Sequence, residues 1–323
     1  MLAIVCPGQG SQTPGFLSPW LELPGVREHL EALSAVAGLD LIRHGTVSDE
    51  DTIKDTAVAQ PLIVASGLMA ARLLLDPAAL TASTVVAGHS VGEITASAVA
   101  GALSEQDALT FVRERANAMA RAAAETPTGM SAVLGGDPEE VAQALAAAGL
   151  TAANANGGGQ TVAAGTLEQL AALAAAPPAK ARVIPLKVAG AFHTIHMAPA
   201  VSVLEQLRPA LHPADPRPTL LSNYDGAAVV SGEANLDSLI AQVSRPVRWD
   251  LCMEAMAAMG VTGLLELPPA GTLTGLARRG LKGMPGLALK SPEDLDAARE
   301  FIAEHSLTSA AATAVTTTGE GNA

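Results

Sequence analysis

The sequence predicts an α/β fold: a mostly parallel sheet covered by helices, with a small β-α-β-β-α-β unit inserted into it. Three observations lead there. Short continuous apolar runs, Leu2 to Cys6 and Ser83 to Ala87, each enter a glycine-containing turn followed by helical sequence, as strands buried on both faces do. Aromatics are only 2% of a chain that is 49% hydrophobic, so its core must be built from Ala, Val, Leu and Ile in closely packed helices and strands. The segment from Gly129 to Ala189 also has the element order of a ferredoxin-like unit.

Taken in chain order, Leu2 to Cys6 is the first buried strand. Gln60 to Leu75 (QPLIVASGLMAARLLL) is apolar nearly all round and reads as a buried helix. The strand Ser83 to Ala87 follows, and residues 1–128 form the first part of a large subdomain. Residues 129–189 are the small one. MSAVLGG leads to a helix opened by Asp137 and Pro138, an N-cap followed by a proline suited to the first turn, with Gly149 as its stop. TAANANG, QTVAAG, the helix LEQLAALAAA and the strand ARVIPLKVAG complete it. Residues 190–305 return to the large subdomain, with an apolar strand at Val261 to Leu267 and a last helix around Ser291 to Glu304. Residues 306–323 have almost no large apolar side chains to offset ordering entropy and are expected to be disordered.

Composition excludes several functions. A net charge of -13 argues against a nucleic-acid partner, because phosphate contacts need clustered positive charge. Cys6 and Cys252 sit in apolar stretches, as buried reduced thiols do, and a cytoplasmic location is expected. MLAIVCPGQG has no basic flank and too short an apolar run for a signal peptide or membrane span, so no membrane association is expected. No histidine or cysteine spacing suggests a metal site. Gly8-Gln9-Gly10 lacks the third glycine of a dinucleotide fingerprint, and no cofactor is expected.

The chemistry lies in Gly88-His89-Ser90-Val91-Gly92, a G-x-S-x-G match after a strand and before helix-forming residues. That context defines a nucleophile elbow, in which the glycines permit a sharp turn that exposes the serine hydroxyl. A serine needs a base, and histidine has the fitting pKa. Of the seven histidines, His193 in Gly190-Ala191-Phe192-His193 stands where the chain leaves the small unit, with His196 close behind. His29, His44, His212 and His305 read as surface residues.

With Gly8-Gln9-Gly10-Ser11-Gln12, the elbow continued to Glu93, the Arg115 segment, Gly190 to His193 and Gln242 in AQVSRPVRW, the sequence resembles malonyl-CoA:acyl carrier protein transacylases of the discrete actinobacterial type that serve fatty-acid and polyketide synthesis. The resemblance spans residues 1 to about 300. It implies an α/β-hydrolase-like large subdomain interrupted by the ferredoxin-like one, malonyl-CoA as a substrate, an acyl carrier protein as partner, and coenzyme A as part of a substrate rather than a cofactor. It further implies Ser90 as nucleophile and His193 as its base, oriented through the backbone of Gln242. The Gln9 and Val91 amides would form an oxyanion hole. Arg115 would bind the malonyl carboxylate by paired charge-assisted hydrogen bonds. Arg113 and Arg121 compete with Arg115, and the family offset from Ser90 selects it. Phe192 would fill the space that a methyl branch needs, and Asn156, after Asn154, lies in a loop resembling a substrate entrance. Three departures stand out: Ala116 where the family often has Gly, Arg245 before Pro246 where it often has Asn, and Pro268-Pro269-Ala270-Gly271 where the family has a late Gly-Pro motif. A serine hydrolase or thioesterase, and a catalytically idle docking module for carrier proteins, are the alternatives.

An acidic chain that receives an acidic carrier also needs a local basic surface. Arg278, Arg279 and Lys282 are first candidates for it, with Lys180 and Lys187 second.

Overall fold

The structure is a computed structural model that describes residues 1–314, with side chains through residue 306. Its strands are β1 (Leu2–Cys6), β2 (Thr84–Gly88), β3 (Thr128–Gly135), β4 (Thr151–Gly157), β5 (Gln160–Thr166), β6 (Ala181–Pro185), β7 (Thr219–Leu220), β8 (Val247–Arg248), β9 (Gly263–Glu266) and β10 (Gly286–Ala288). They form two five-stranded sheets.

The larger sheet runs β10-β9-β1-β2-β7 with every neighbouring pair parallel. Both of its faces are covered, which is why β1 and β2 read as unbroken apolar runs. Along β1 the side chains alternate: Leu2, Ile4 and Cys6 join a core with the helices Thr56–Leu74 and Glu105–Glu125, while Ala3 and Val5 pack on the other face with Trp249, Cys252, Met256 and Leu273. Thr56–Leu74 is long and apolar enough to cross a membrane but is mostly buried inside the protein, as the core helix expected from its all-round hydrophobicity. Cys6 and Cys252 are free and buried.

The smaller sheet runs β6-β3-β5-β4-β8. Its first four strands, antiparallel and in that order, reproduce the ferredoxin-like arrangement. The helices Pro138–Ala147 and Leu167–Ala175 cover one face through Val141, Leu145, Leu170 and Leu173. Their starts are set locally: Asp137 caps the first, and Thr166 with Gln169 forms a capping box on the second. The opposite face supplies Met130, Asn154, Asn156 and Val162 to a cleft against the larger sheet.

Four sequence expectations need correction. The small sheet gains β8 from the returning chain, parallel to β4, so it is not built from residues 129–189 alone. The last helix runs Leu295–Ala314, so residues 306–314 are helical where disorder was expected; the remainder of that tail, 315–323, lies outside the described residues. His29 is buried against Glu105 at 2.9 Å, and His305 is buried against Phe301 with ring centroids 4.3 Å apart. Neither is the surface residue that its polar or terminal neighbours suggested, because a helix that packs on the core buries whatever lies on its inner face.

Candidate active site

Ser90 stands between the end of β2 and the helix Gly92–Val99 with φ +54°. A non-glycine residue there costs on the order of 1–3 kcal/mol and persists only where its surroundings impose it. The flanking glycines show why they must lack side chains. A Cβ on Gly88 would lie 2.0 Å from the Gly92 carbonyl carbon, and one on Gly92 would lie 2.1 Å from the Cys6 oxygen at the end of β1. Asn223 straps the turn together: its Nδ2 donates to Gly88 O at 2.7 Å and its Oδ1 accepts from the Ser90 N–H at 2.8 Å. Ser90 therefore projects into the inter-sheet cleft, a cavity of about 470 Å³.

The loop that leaves the small sheet carries His193 to the same point. Its Nε2 is 2.7 Å from Ser90 Oγ and its Nδ1 is 2.9 Å from the backbone oxygen of Gln242. A carbonyl can only accept, so Nδ1 carries the proton, and Nε2 offers its lone pair to the serine O–H. Burial and the neighbouring positive charge of Arg115 bring the His193 pKa down to about 3, so the imidazole is held in its neutral, basic form. Of the two histidines, it is His193 that reaches Ser90; His196 is half-exposed in the short helical turn that follows.

Arg115 comes from the middle of Glu105–Glu125 and is 1% exposed. Its Nη1 donates to Gln60 Oε1 at 2.6 Å, and its Nη2 donates to Gln242 Oε1 at 2.9 Å and to Ser90 Oγ at 3.3 Å. Nε has no partner among the described residues. The guanidinium thus lies behind the serine rather than along the open wall of the cavity. Burial lowers its pKa to about 10, which leaves it charged at neutral pH. Glu93 faces it across Gln242; burial outweighs the Asn223 N–H and Arg115, which pull the other way, and pushes that carboxyl up to about 8. Arg113 instead bonds to Glu114 and to Val36 O, and Arg121 is exposed, so neither is near the serine.

Gln9, Val91 and Phe192 all line the cavity. The Gln9 and Val91 N–H groups have no backbone acceptor among the described residues. Asn156 also lines it, from the strand β4 rather than from the loop expected, and lies 2.9 Å from His89 Nε2, so it ties the small sheet to the elbow. Arg245 leaves the Gln242 carbonyl available to His193: its own N–H shares that oxygen at 3.1 Å, and its guanidinium turns away to lie 5.2 Å from the Tyr224 ring centre. Three residues of the site had no role in the sequence reading. Glu93 was visible only as the end of the elbow motif, and Gln60 and Asn223 gave no local signal, since buried amides look like any others until their partners are known.

A serine held at a strained elbow against a neutral imidazole, above a parallel sheet, is built for acyl-group chemistry. Residues 3–314 match the family model described as acyl transferase domain, and the chain belongs to that family. Within the family it resembles the malonyl CoA-acyl carrier protein transacylases: it is 52% identical to that of Mycobacterium tuberculosis over 92% of this chain and 98% of the relative, and 33% identical to that of Escherichia coli over 93% and 99%. The crystal structure of MCAT from Mycobacterium tuberculosis superposes with a TM-score of 0.89 at 51% identity, over 93% of this chain and 99% of that one. A type II polyketide acyl-carrier protein in complex with its malonyl-transacylase contains a chain that matches at TM-score 0.84 and 30% identity, over 93% and 99%.

Proposed function

We propose that this protein moves the malonyl group of malonyl-CoA onto the phosphopantetheine thiol of an acyl carrier protein, in a ping-pong reaction through Ser90. The observation that carries the reading is that Ser90 Oγ meets both His193 Nε2 at 2.7 Å and the Arg115 guanidinium at 3.3 Å. One group removes the serine proton. The other lies within a malonyl group's length of the same oxygen.

In the first half-reaction Ser90 Oγ attacks the thioester carbonyl as His193 Nε2 takes its proton. The Gln9 and Val91 amides donate to the developing oxyanion, with the N-terminus of Gly92–Val99 adding a favourable dipole. Collapse breaks the C–S bond, and the imidazolium returns the proton to the departing coenzyme A thiolate. In the second half-reaction the carrier's thiol loses its proton to His193 and attacks the Ser90 ester, which regenerates the serine. The malonyl carboxylate is held by the Arg115 donors left over, the unpartnered Nε–H and the edge now loosely facing Ser90. Phe192 fills the acyl pocket beside it, and Asn156 holds the entrance through His89. Every group used belongs to the chain or the substrates, so the reaction calls for no cofactor.

Arg278, Arg279 and Lys282 are exposed around the end of the helix Thr272–Gly280, and Arg279 lines the cavity and bonds to Gln160 at 3.1 Å. Arg279 places positive charge at the cleft, where an acidic carrier would deliver its thiol, and Arg278 and Lys282 add exposed charge beside it in the chain; exposed Lys180 and Lys187 are the second choice. The buried free thiols suit a reducing, cytoplasmic site of action. Incubation with malonyl-CoA and a holo carrier protein tests the reading. Malonylated carrier is the expected product, and free malonate formed at the same rate with or without carrier would instead identify a thioesterase.

A further inference from the structure

Glu93 lies one turn behind Ser90 and is 4% exposed. A carboxylate so placed is tolerated only with partners, and donor-acceptor rules fix them. Arginine carries donors alone, so the Gln242 atom 2.9 Å from Arg115 Nη2 is the amide oxygen. The Gln242 NH₂ group therefore points the other way and donates to Glu93 Oε2. Glu93 Oε1 accepts from the Asn223 backbone N–H at 2.7 Å. Both oxygens accept from N–H donors, an arrangement that stabilises the ionised carboxylate against the burial that raises its pKa. Glu93 and Arg115 thus face each other as opposite charges through a single amide.

We propose that Glu93 is a positioning residue that, by locking the orientation of the Gln242 side-chain amide, holds the Arg115 guanidinium beside Ser90 and so sets the preference for an acyl group that ends in a carboxylate. The inference rests on the malonyl-transfer reading. Gln242 Nε2 has a second, longer contact of 3.3 Å to the Ser90 carbonyl oxygen; without a carboxylate at position 93 that contact is left to oppose a flip of the amide, whose NH₂ would then face the Arg115 NH₂, donor against donor. The other support of the guanidinium cannot compensate, since among the described residues the Gln60 side chain has, apart from Arg115 itself, one long 3.6 Å contact from its Nε2 to Met119 Sδ. The indirect arrangement also has a use: a direct Glu93 contact would occupy the donors that a substrate carboxylate needs, whereas an amide spacer supplies the counter-charge and leaves the Ser90-facing edge open. His193 is held by the main chain of Gln242, so the side-chain relay bears on selectivity separately from the base.

The test compares the rates of Ser90 acylation by malonyl-CoA and acetyl-CoA in the full chain. Loss of a charge-assisted hydrogen bond should lower the malonyl-to-acetyl ratio of Glu93→Gln by about tenfold or more. Glu93→Asp, which keeps the charge, should retain more of the ratio than Glu93→Gln, and Glu93→Gln placed on Arg115→Ala should change the ratio no further. If Glu93→Gln does not fold, Gln242→Met cuts the same relay without altering a charge and should lower the ratio likewise. An unchanged ratio, a proportional fall of both rates, or a further drop on the Arg115→Ala background overturns the proposal. A wild-type protein with no preference for malonyl over acetyl would instead overturn the malonyl reading itself.

Discussion

The imidazole of His193 is oriented by the main chain of Gln242, with Nδ1 2.9 Å from its carbonyl oxygen. A carbonyl supplies the direction that a carboxylate supplies in other serine enzymes, without adding a negative charge. It suits a site that must also hold a buried cation and receive an acidic acyl group.

Because the acceptor belongs to the backbone, substitutions of the Gln242 side chain should cost less acetyl-loading activity than His193→Ala. Loss of the base should slow Ser90 acylation by about 100- to 10,000-fold. Single-turnover acylation by acetyl-CoA measures both; equal losses would mean that the Gln242 side chain, not its carbonyl, orients the base.

The pKa of His193 falls from its ordinary 6.5 to about 3 on folding. Between those values the unfolded chain binds a proton there that the folded protein does not. Stability from this group is therefore full above pH 6.5 and declines as pH falls toward 3. The melting temperature should drop more steeply between pH 6.5 and 4 for the wild type than for His193→Gln. Parallel curves would show that His193 titrates normally.

Arg115 and Glu93 are buried on either side of Gln242. Arg115→Ala leaves that carboxylate without its counter-charge and should destabilise the fold by about 3–5 kcal/mol. Adding Glu93→Gln should then recover part of the loss. Denaturant midpoints of the two single variants and the double variant decide this, and strictly additive losses would contradict the pairing.

Phe192 is 6% exposed in the acyl pocket. Phe192→Ala should raise methylmalonyl loading relative to malonyl by about tenfold, the scale of one methyl group in a tight pocket. Competition between the two coenzyme A thioesters measures the ratio, and no change would place Phe192 outside the selectivity filter.

Much of this molecule was legible before any coordinates. β1 and β2 are short, apolar and followed by glycine turns, so period and punctuation marked them, and Asp137 followed by Pro138 marked a helix start. Ser90 was legible because its turn forbids side chains on both sides. What stayed hidden depends on long-range contacts. β8 is two residues long and pairs with a strand far back in the chain, Val247 beside Asn154. Asn223 lies 133 residues from the serine that it braces, and the burial of His29 and Glu93 is decided by the elements packed over them.

The most direct measurement is the intact mass of the chain after brief exposure to malonyl-CoA, with the modified peptide mapped and a holo carrier protein then added. A single malonyl adduct on Ser90, absent from Ser90→Ala and discharged by the carrier, is expected. An unmodified protein that nevertheless malonylates the carrier, or an adduct on any other residue, would contradict transfer through Ser90.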